Sequence, residues 1–268
     1  MRHKKYFSNK LLQLPILALL LSTMNVQADA IFEGYYKVLS GGVSVGYVIQ
    51  RYDYDSKKKQ FTAISFLKTN TLGGDITESL VAKATNTFKP ISYQYTGKTG
   101  DKLSTIDATF NKNVMKAIVS DGKTANTVTK KLPSGTFLST FLAYLMLNKG
   151  YAVGKKFDYS AISEEDGEPF NGQALVHSEA TTMNQKGFKL LNKFKGVRFV
   201  AYINAKAEVL RTKSPLQQIS TELVATPAEA TKGHTVPHKV IRQLFGGIPL
   251  GKVNTLNSSQ KSEPKPKK

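Results

Sequence analysis

The chain has no cysteine and no tryptophan, only four histidines, and half as many acidic as basic residues, 19 against 38. The lack of cysteine excludes a disulfide framework, a thiol nucleophile, a cysteine-based zinc site and a lipid-modified N-terminal cysteine. Stability must therefore come from an ordinary hydrophobic core. About 240 residues of mature chain suffice for that, as one large β domain or two smaller ones.

Long apolar runs are also scarce, and only two stand out. The first, Leu11–Met24, follows Arg2, Lys4, Lys5 and Lys10 and precedes NVQADA. A charged start, an apolar stretch and small residues at a cleavage point describe a secretory signal peptide over 1–28, cut after Ala28 or Ala30. The expected product is a soluble protein of the periplasm, or one fully secreted, with no transmembrane segment of its own.

The shortage of acid leaves a formal charge of +19, of which the leader carries four. From Lys232 onward, eight Lys/Arg face one acid, Glu263. A basic exported protein is drawn to anionic partners such as lipid headgroups, other envelope polymers or nucleic acid. The basic residues are scattered and match no nucleic-acid recognition signature, so nucleic acid is set aside.

What fills the chain is short strands. IFEGYYKVL and VSVGYVIQRY flank Ser40-Gly41-Gly42 as a hairpin. QFTAISFLKTN, DITESLVAKATNTF, ISYQYTG, LSTIDATF and VMKAIVS follow between turns, and a second series runs from KKFDYSAIS to QQISTELVAT. About fourteen strands point to a large antiparallel sheet that curls or closes. The second apolar run, Thr136–Gly150, interrupts them. Leu138, Phe141, Leu142 and Leu145 recur at helical spacing, and Phe137, Tyr144 and Leu147 make the other side apolar. At about 20 Å it is too short to cross a membrane core of roughly 30 Å. The predicted fold is mainly β: a half-barrel or barrel over 31–226 wrapped around one central apolar helix. Beyond it comes a basic extension, 227–253, with a short amphipathic helix through Val240, Ile241, Leu244 and Phe245, then a disordered Lys/Pro-rich tail, 254–268.

No catalytic, cofactor or metal constellation emerges. Gly42-Val43-Ser44-Val45-Gly46 matches the G-x-S-x-G pattern of serine hydrolases, but a nucleophile elbow needs a helix after it, and YVIQRY alternates as a strand. His177 has no partner by spacing, and His234 and His238 flank Pro237 without a third ligand. Glu164, Glu165, Asp166 and Glu168 lack the alternation of a calcium loop, as does Asp53-Tyr54-Asp55, so both read as solvated turns.

Several landmarks in order resemble an uncharacterised family of bacterial periplasmic proteins of unknown function. They are GGVSVGY (Gly41–Tyr47), FKPISYQY (Phe88–Tyr95), the segment from Pro133 to Gly150, KGYAVGKKFDY (Lys149–Tyr159), and AYINAKAEVLRTKSP (Ala201–Pro215) with its arginine, Arg211. The resemblance implies a half-barrel similar to the lipoprotein carrier LolA, with a curved sheet around one or more helices. Some members of that family sit beside transglutaminase-like cysteine peptidase domains. Lacking cysteine, this chain inherits none of that chemistry, and the family offers no catalytic residues to transfer.

Three functional expectations follow. A dozen strands about 4.8 Å apart span nearly 60 Å, which one helix roughly 10 Å across cannot cover. Unless the sheet closes tightly, an apolar concavity stays open. The leading expectation is a non-enzymatic carrier holding a lipid or lipoprotein acyl chain, lined by Phe137, Leu138, Phe141, Leu142, Leu145 and Met146. The second is an interaction module that meets an anionic envelope component or protein through its basic surface, Lys239 and Arg242 included. The third is a hydrolase using Ser44 or His177.

Overall fold

The computed structural model describes residues 29–259. The predicted leader, 1–28, and the end of the predicted tail, 260–268, lie outside the described residues.

Alternating apolar and polar residues give an unbroken antiparallel meander: β1 (Asp29–Ser40), β2 (Val43–Asp55), β3 (Gln60–Thr69), β4 (Ile76–Thr85), β5 (Pro90–Thr99), β6 (Lys102–Asn111), β7 (Val114–Ser120) and β8 (Ala125–Lys131). The turn between β1 and β2 places Gly41 and Gly42 at φ 57° and 87°. Two successive left-handed residues make the tight hairpin that glycine favours. After β8 come a two-residue strand β9 (Phe137–Leu138), a 3-10 turn (Ser139–Phe141) and a helix α1 (Leu142–Lys149). A second meander follows: β10 (Lys156–Ser163), β11 (Glu168–Thr182), β12 (Gln185–Phe194), β13 (Val197–Asn204), β14 (Val209–Ser214) and β15 (Ile219–Val224).

All fifteen strands form one sheet in the order β8-β7-β6-β5-β4-β3-β2-β1-β15-β14-β13-β12-β11-β10-β9. The first and last strands meet at its centre, Tyr35 opposite Val224, and the sheet does not close. β9 joins β10 in parallel, through Phe137 and Leu138 against Ala161 and Ile162.

Period-two alternation sorts the side chains onto two faces. On one, Phe32, Tyr36, Tyr52, Ala82, Tyr93, Ile106, Met115 and Leu223 pack with Phe137, Leu138, Phe141 and Tyr144. Met146 joins Phe157, Val176, Leu190 and Ile203 of the second meander. On the other, Tyr35, Tyr47, Ile49, Phe66 and Val224 are covered by α2 (Pro227–Thr231) and α3 (His238–Phe245) through Ala230, Ile241 and Phe245. Thr226 caps α2 by accepting from the Glu229 amide at 3.3 Å, ahead of a first-turn proline.

Two expectations are corrected here. The helix occupies eight residues, not the whole of 136–150. Phe137 and Leu138 are apolar because they are buried as a strand, and Ser139 to Phe141 form the 3-10 turn that redirects the chain. At about 12 Å long, α1 covers a small part of a fifteen-stranded sheet. The tail is ordered further than expected: Asn254 is buried and a short helix, α4 (Thr255–Ser259), follows it. With Ile248, Leu250 and Val253 exposed, 246–257 is held largely by buried polar groups. Glu33 accepts from the amides of Leu250 and Gly251 at 2.8 and 2.7 Å, while Asn254 donates to the Glu33 carbonyl at 2.9 Å. Glu208 accepts from Asn204 Nδ2 at 2.8 Å and from the Thr255 amide at 3.0 Å.

Candidate functional site

Between the start of α1 and the sheet lies a cavity of about 350 Å³. Ser139, Thr140, Leu142, Ala143 and Met146 form one wall. Tyr36 of β1 and Val48, Gln50 and Tyr52 of β2 line the opposite side. The floor continues through Thr221 of β15, Val209 and Thr212 of β14, Phe199, Ala201 and Ile203 of β13, and Leu190 and Asn192 of β12. The strands bring these residues together from opposite ends of the chain because β1 pairs with β15 in mid-sheet. Of the seventeen lining residues, none is charged. In a chain with twice as many basic as acidic residues, that sets the cavity apart from the rest of the surface.

The polar groups in the lining are mostly engaged with one another. Tyr36 donates to the Val209 carbonyl at 2.9 Å, Tyr52 to the Thr140 carbonyl at 2.8 Å, and Gln50 Nε2 to the Tyr52 hydroxyl at 2.8 Å. The Thr212 and Thr221 hydroxyls are 2.7 Å apart. Burial pushes the Tyr52 phenol up to about 12 and that of Tyr36 well above its usual range. Both are neutral at any physiological pH, so they offer no acid–base chemistry. The lining suits binding and supplies no nucleophile paired with a base.

Of the six side chains expected to line a groove, Leu142 and Met146 do so. Phe137, Leu138 and Phe141 are buried in the core, and Leu145 is half-buried against it. Lys239 and Arg242 are exposed on α3, whose apolar side is turned to the sheet.

Sequence reasoning missed Asn192. It is 6% exposed, and its Oδ1 accepts from the Tyr159 hydroxyl at 2.8 Å. It lies in KLLNKF, where nothing in the pattern separates an inward polar residue from an outward one. The reading of EEDGEP as solvated is corrected for its first acid. Glu164 is 4% exposed, accepts from Ser139 Oγ at 2.6 Å and from the Thr140 amide at 3.1 Å, and thereby holds the 3-10 turn before α1. Burial pushes its carboxyl up to about 7. Glu165 and Asp166 instead pair with Lys195, and Glu168 with Lys130. The Asp53 and Asp55 turn is likewise more buried than expected: Arg51 holds Asp53 at 2.7 Å, and the Lys58 amide donates to Asp55 at 2.9 Å.

Ser44 lies in β2 and not at an elbow, and its Oγ is 3.1 Å from Nε2 of His234, an exposed pairing that spacing did not suggest. No carboxylate pairs with His234 among the described residues, and His177 is exposed on β11. No group of three metal-ligating side chains occurs among the described residues. A wider depression of about 750 Å³ lies across β10–β13, where Lys156, Asp158, Lys193 and Arg198 give it a charged lining. Among the described residues no helix is long and apolar enough to cross a membrane.

Among solved structures, the chain is similar to a β-barrel-like protein of the domain of unknown function DUF1849 from Brucella abortus. The identity is 12% and the TM-score 0.53, over 73% of this chain and 97% of that one. A DUF1089 family protein from Pseudomonas aeruginosa matches at 11% identity and a TM-score of 0.36, over 63% and 89% of the two chains. No curated protein matches. The likeness to the Brucella protein is one of fold, a barrel-like sheet, and the uncharged cavity is described from this chain's own residues. Sequence assigns more: residues 32–215, most of the two meanders that build the cavity, match a family of their own, and the chain belongs to DUF3108, a family described as proteins of unknown function.

Proposed function

We propose that this is a non-enzymatic binding protein of the cell envelope that holds an apolar ligand, a lipid or lipoprotein acyl chain, in the cavity beside α1. The observation that carries the reading is the uncharged cavity of about 350 Å³ between Leu142, Ala143 and Met146 and the sheet. Its size falls in the range of small-ligand sites, roughly 300–1,000 Å³, at the end suited to one chain and not to several. Export to the periplasm, argued from the leader, would place it among such ligands. The test is native mass spectrometry of protein purified from its own envelope fraction, beside Ala143→Phe, which fills the cavity. A co-purifying apolar molecule lost in the variant supports the reading. Absence of any such molecule, together with no uptake of an apolar fluorescent probe by the wild type, overturns it.

A second reading rests on α3. Its apolar side is buried through Ile241 and Phe245, leaving Lys239 and Arg242 outward on a surface fixed to the domain. This surface could meet an anionic envelope component. Deleting the tail would also strip the core of Ile241 and Phe245, so charge reversal at Lys239 and Arg242 is the cleaner perturbation. Unchanged binding to anionic vesicles in that double variant overturns this reading.

A further inference from the structure

Asn192 brings to the cavity an amide donor that no protein group among the described residues uses. Tyr159 donates to Oδ1 of Asn192 and so fixes which way the amide points. The Nδ2 group has no hydrogen-bond partner among the described residues and is not sealed in the protein: Asn192 lines this cavity and also borders the charged depression across β10–β13. A chain that fills the cavity displaces water from that NH2, which costs free energy unless the chain brings an acceptor. The Thr212–Thr221 hydroxyl pair on the same floor keeps one hydrogen to spare. Both donors are neutral, and no cation lines the cavity.

We infer that the cavity selects an uncharged acyl ester, with the ester carbonyl accepting from Nδ2 of Asn192 and the chain lying against Leu142, Met146, Leu190 and Ile203. This rests on the ligand-binding reading above and adds to it the chemistry of the head of the chain. A free fatty acid is disfavoured at neutral pH, because a carboxylate entering this lining would leave water without meeting a positive charge. A chain without a carbonyl is disfavoured more mildly, because Asn192 stays unpaired. A Lys or Arg in the lining would have reversed the first preference, and a leucine at 192 would have removed the second.

The experiment is isothermal titration of the purified full-length protein with three probes of equal chain length: 1-monodecanoin, its ether analogue 1-O-decylglycerol, and decanoate, each below its micelle concentration. The ester and ether differ at the carbonyl alone. The expected result at pH 7.5 is that the ester binds roughly three- to tenfold more tightly than the ether, as one neutral hydrogen bond would give. Decanoate should bind at least about tenfold more weakly than the ester. In Asn192→Leu, ester and ether should bind alike. The wild-type comparison needs no variant, so the inference stays testable even if Asn192→Leu folds poorly. As a second measurement, the carbonyl stretch of bound ester should shift to lower frequency in the wild type. Equal binding of ester and ether to the wild type, or decanoate binding as tightly as the ester, overturns the inference while leaving the cavity reading in place. If none of the three binds, the cavity reading itself falls.

Discussion

Replacing Glu164 by glutamine should make the protein more stable at alkaline pH and leave it nearly unchanged in acid. The side chain is 4% exposed, and its acceptor bonds from Ser139 Oγ and the Thr140 amide do not offset the loss of water around the charge. Its neighbours add nothing favourable, since Tyr52 and Tyr93 are neutral and Glu165 carries like charge. Desolvation therefore raises the carboxyl from 4.5 to about 7. A raised acid pKa means that, between those values, the folded state keeps a proton the unfolded state has released. Stability contributed by the neutral form is full below pH 4.5 and declines as pH rises through 7. The rise from 4.5 to about 7 corresponds to about 3 kcal/mol of stability lost once the group ionises in both states. Glutamine keeps an oxygen for the Thr140 amide and an NH2 for the Ser139 hydroxyl, and it does not titrate. Guanidinium denaturation of wild type and Glu164→Gln at pH 5, 6, 7 and 8 measures the effect. The variant should exceed the wild type by just under about 1 kcal/mol at pH 5 and by about 3 kcal/mol at pH 8, the latter roughly 6–12 °C in Tm for a domain of this size. Glu78 and Asp53 also have raised carboxyls, but they are common to both proteins and cancel in the difference. A stability difference that stays constant from pH 5 to 8 would refute the reasoning.

Two further outcomes follow from the packing. Gly46→Ala should destabilise severely, because a Cβ there would lie 2.2 Å from the Lys68 carbonyl oxygen and 2.8 Å from the Thr69 Cα, both backbone atoms; Gly247→Ala, with open space around it, serves as the control in the same thermal melts. Glu33→Ala leaves the amides of Leu250 and Gly251 without their acceptor and should cost about 2–4 kcal/mol, with faster proteolysis of the chain beyond Phe245 as a second readout.

The strands were legible because each buries one side, and period-two alternation records that side residue by residue. LSTIDATF shows it plainly, with Ile106 and Ala108 buried and Asp107 exposed. The segment around α1 was legible only as buried. When both sides of a stretch are covered, every position becomes apolar and the periodicity that separates strand from helix disappears, so Phe137 and Leu138 could not be distinguished from a first helical turn. Two sequence-assigned lining positions, Leu142 and Met146, reached the cavity because, four residues apart, they share one face of the helix, which Leu145 does not. Glu164 and Asn192 were invisible for the opposite reason. Each is a single polar residue whose burial is decided by what another part of the chain lays over it: the 3-10 turn in one case, α1 and Tyr159 in the other. The order seen through Ser259 was missed because carboxylates and amides hold that segment, and a polar composition by itself suggests solvation.

The pairing of β1 with β15 also sets an order of events for a chain that folds from an extended state. Every other antiparallel ladder joins strands adjacent in sequence, whose closing loops are short and entropically cheap. The β1–β15 ladder must bring Tyr35 to Val224 across both meanders. Local hairpins form first and distant contacts last when loop closure dominates. Each meander therefore reaches its hairpin stage with its inner edge unpaired, β1 in one and β15 in the other, and those two edges pair with each other. The walls of the cavity come from both meanders, so the site comes into being only at that final joining step. An incompletely synthesised chain that lacks β15 contains most of the lining residues and still has no cavity.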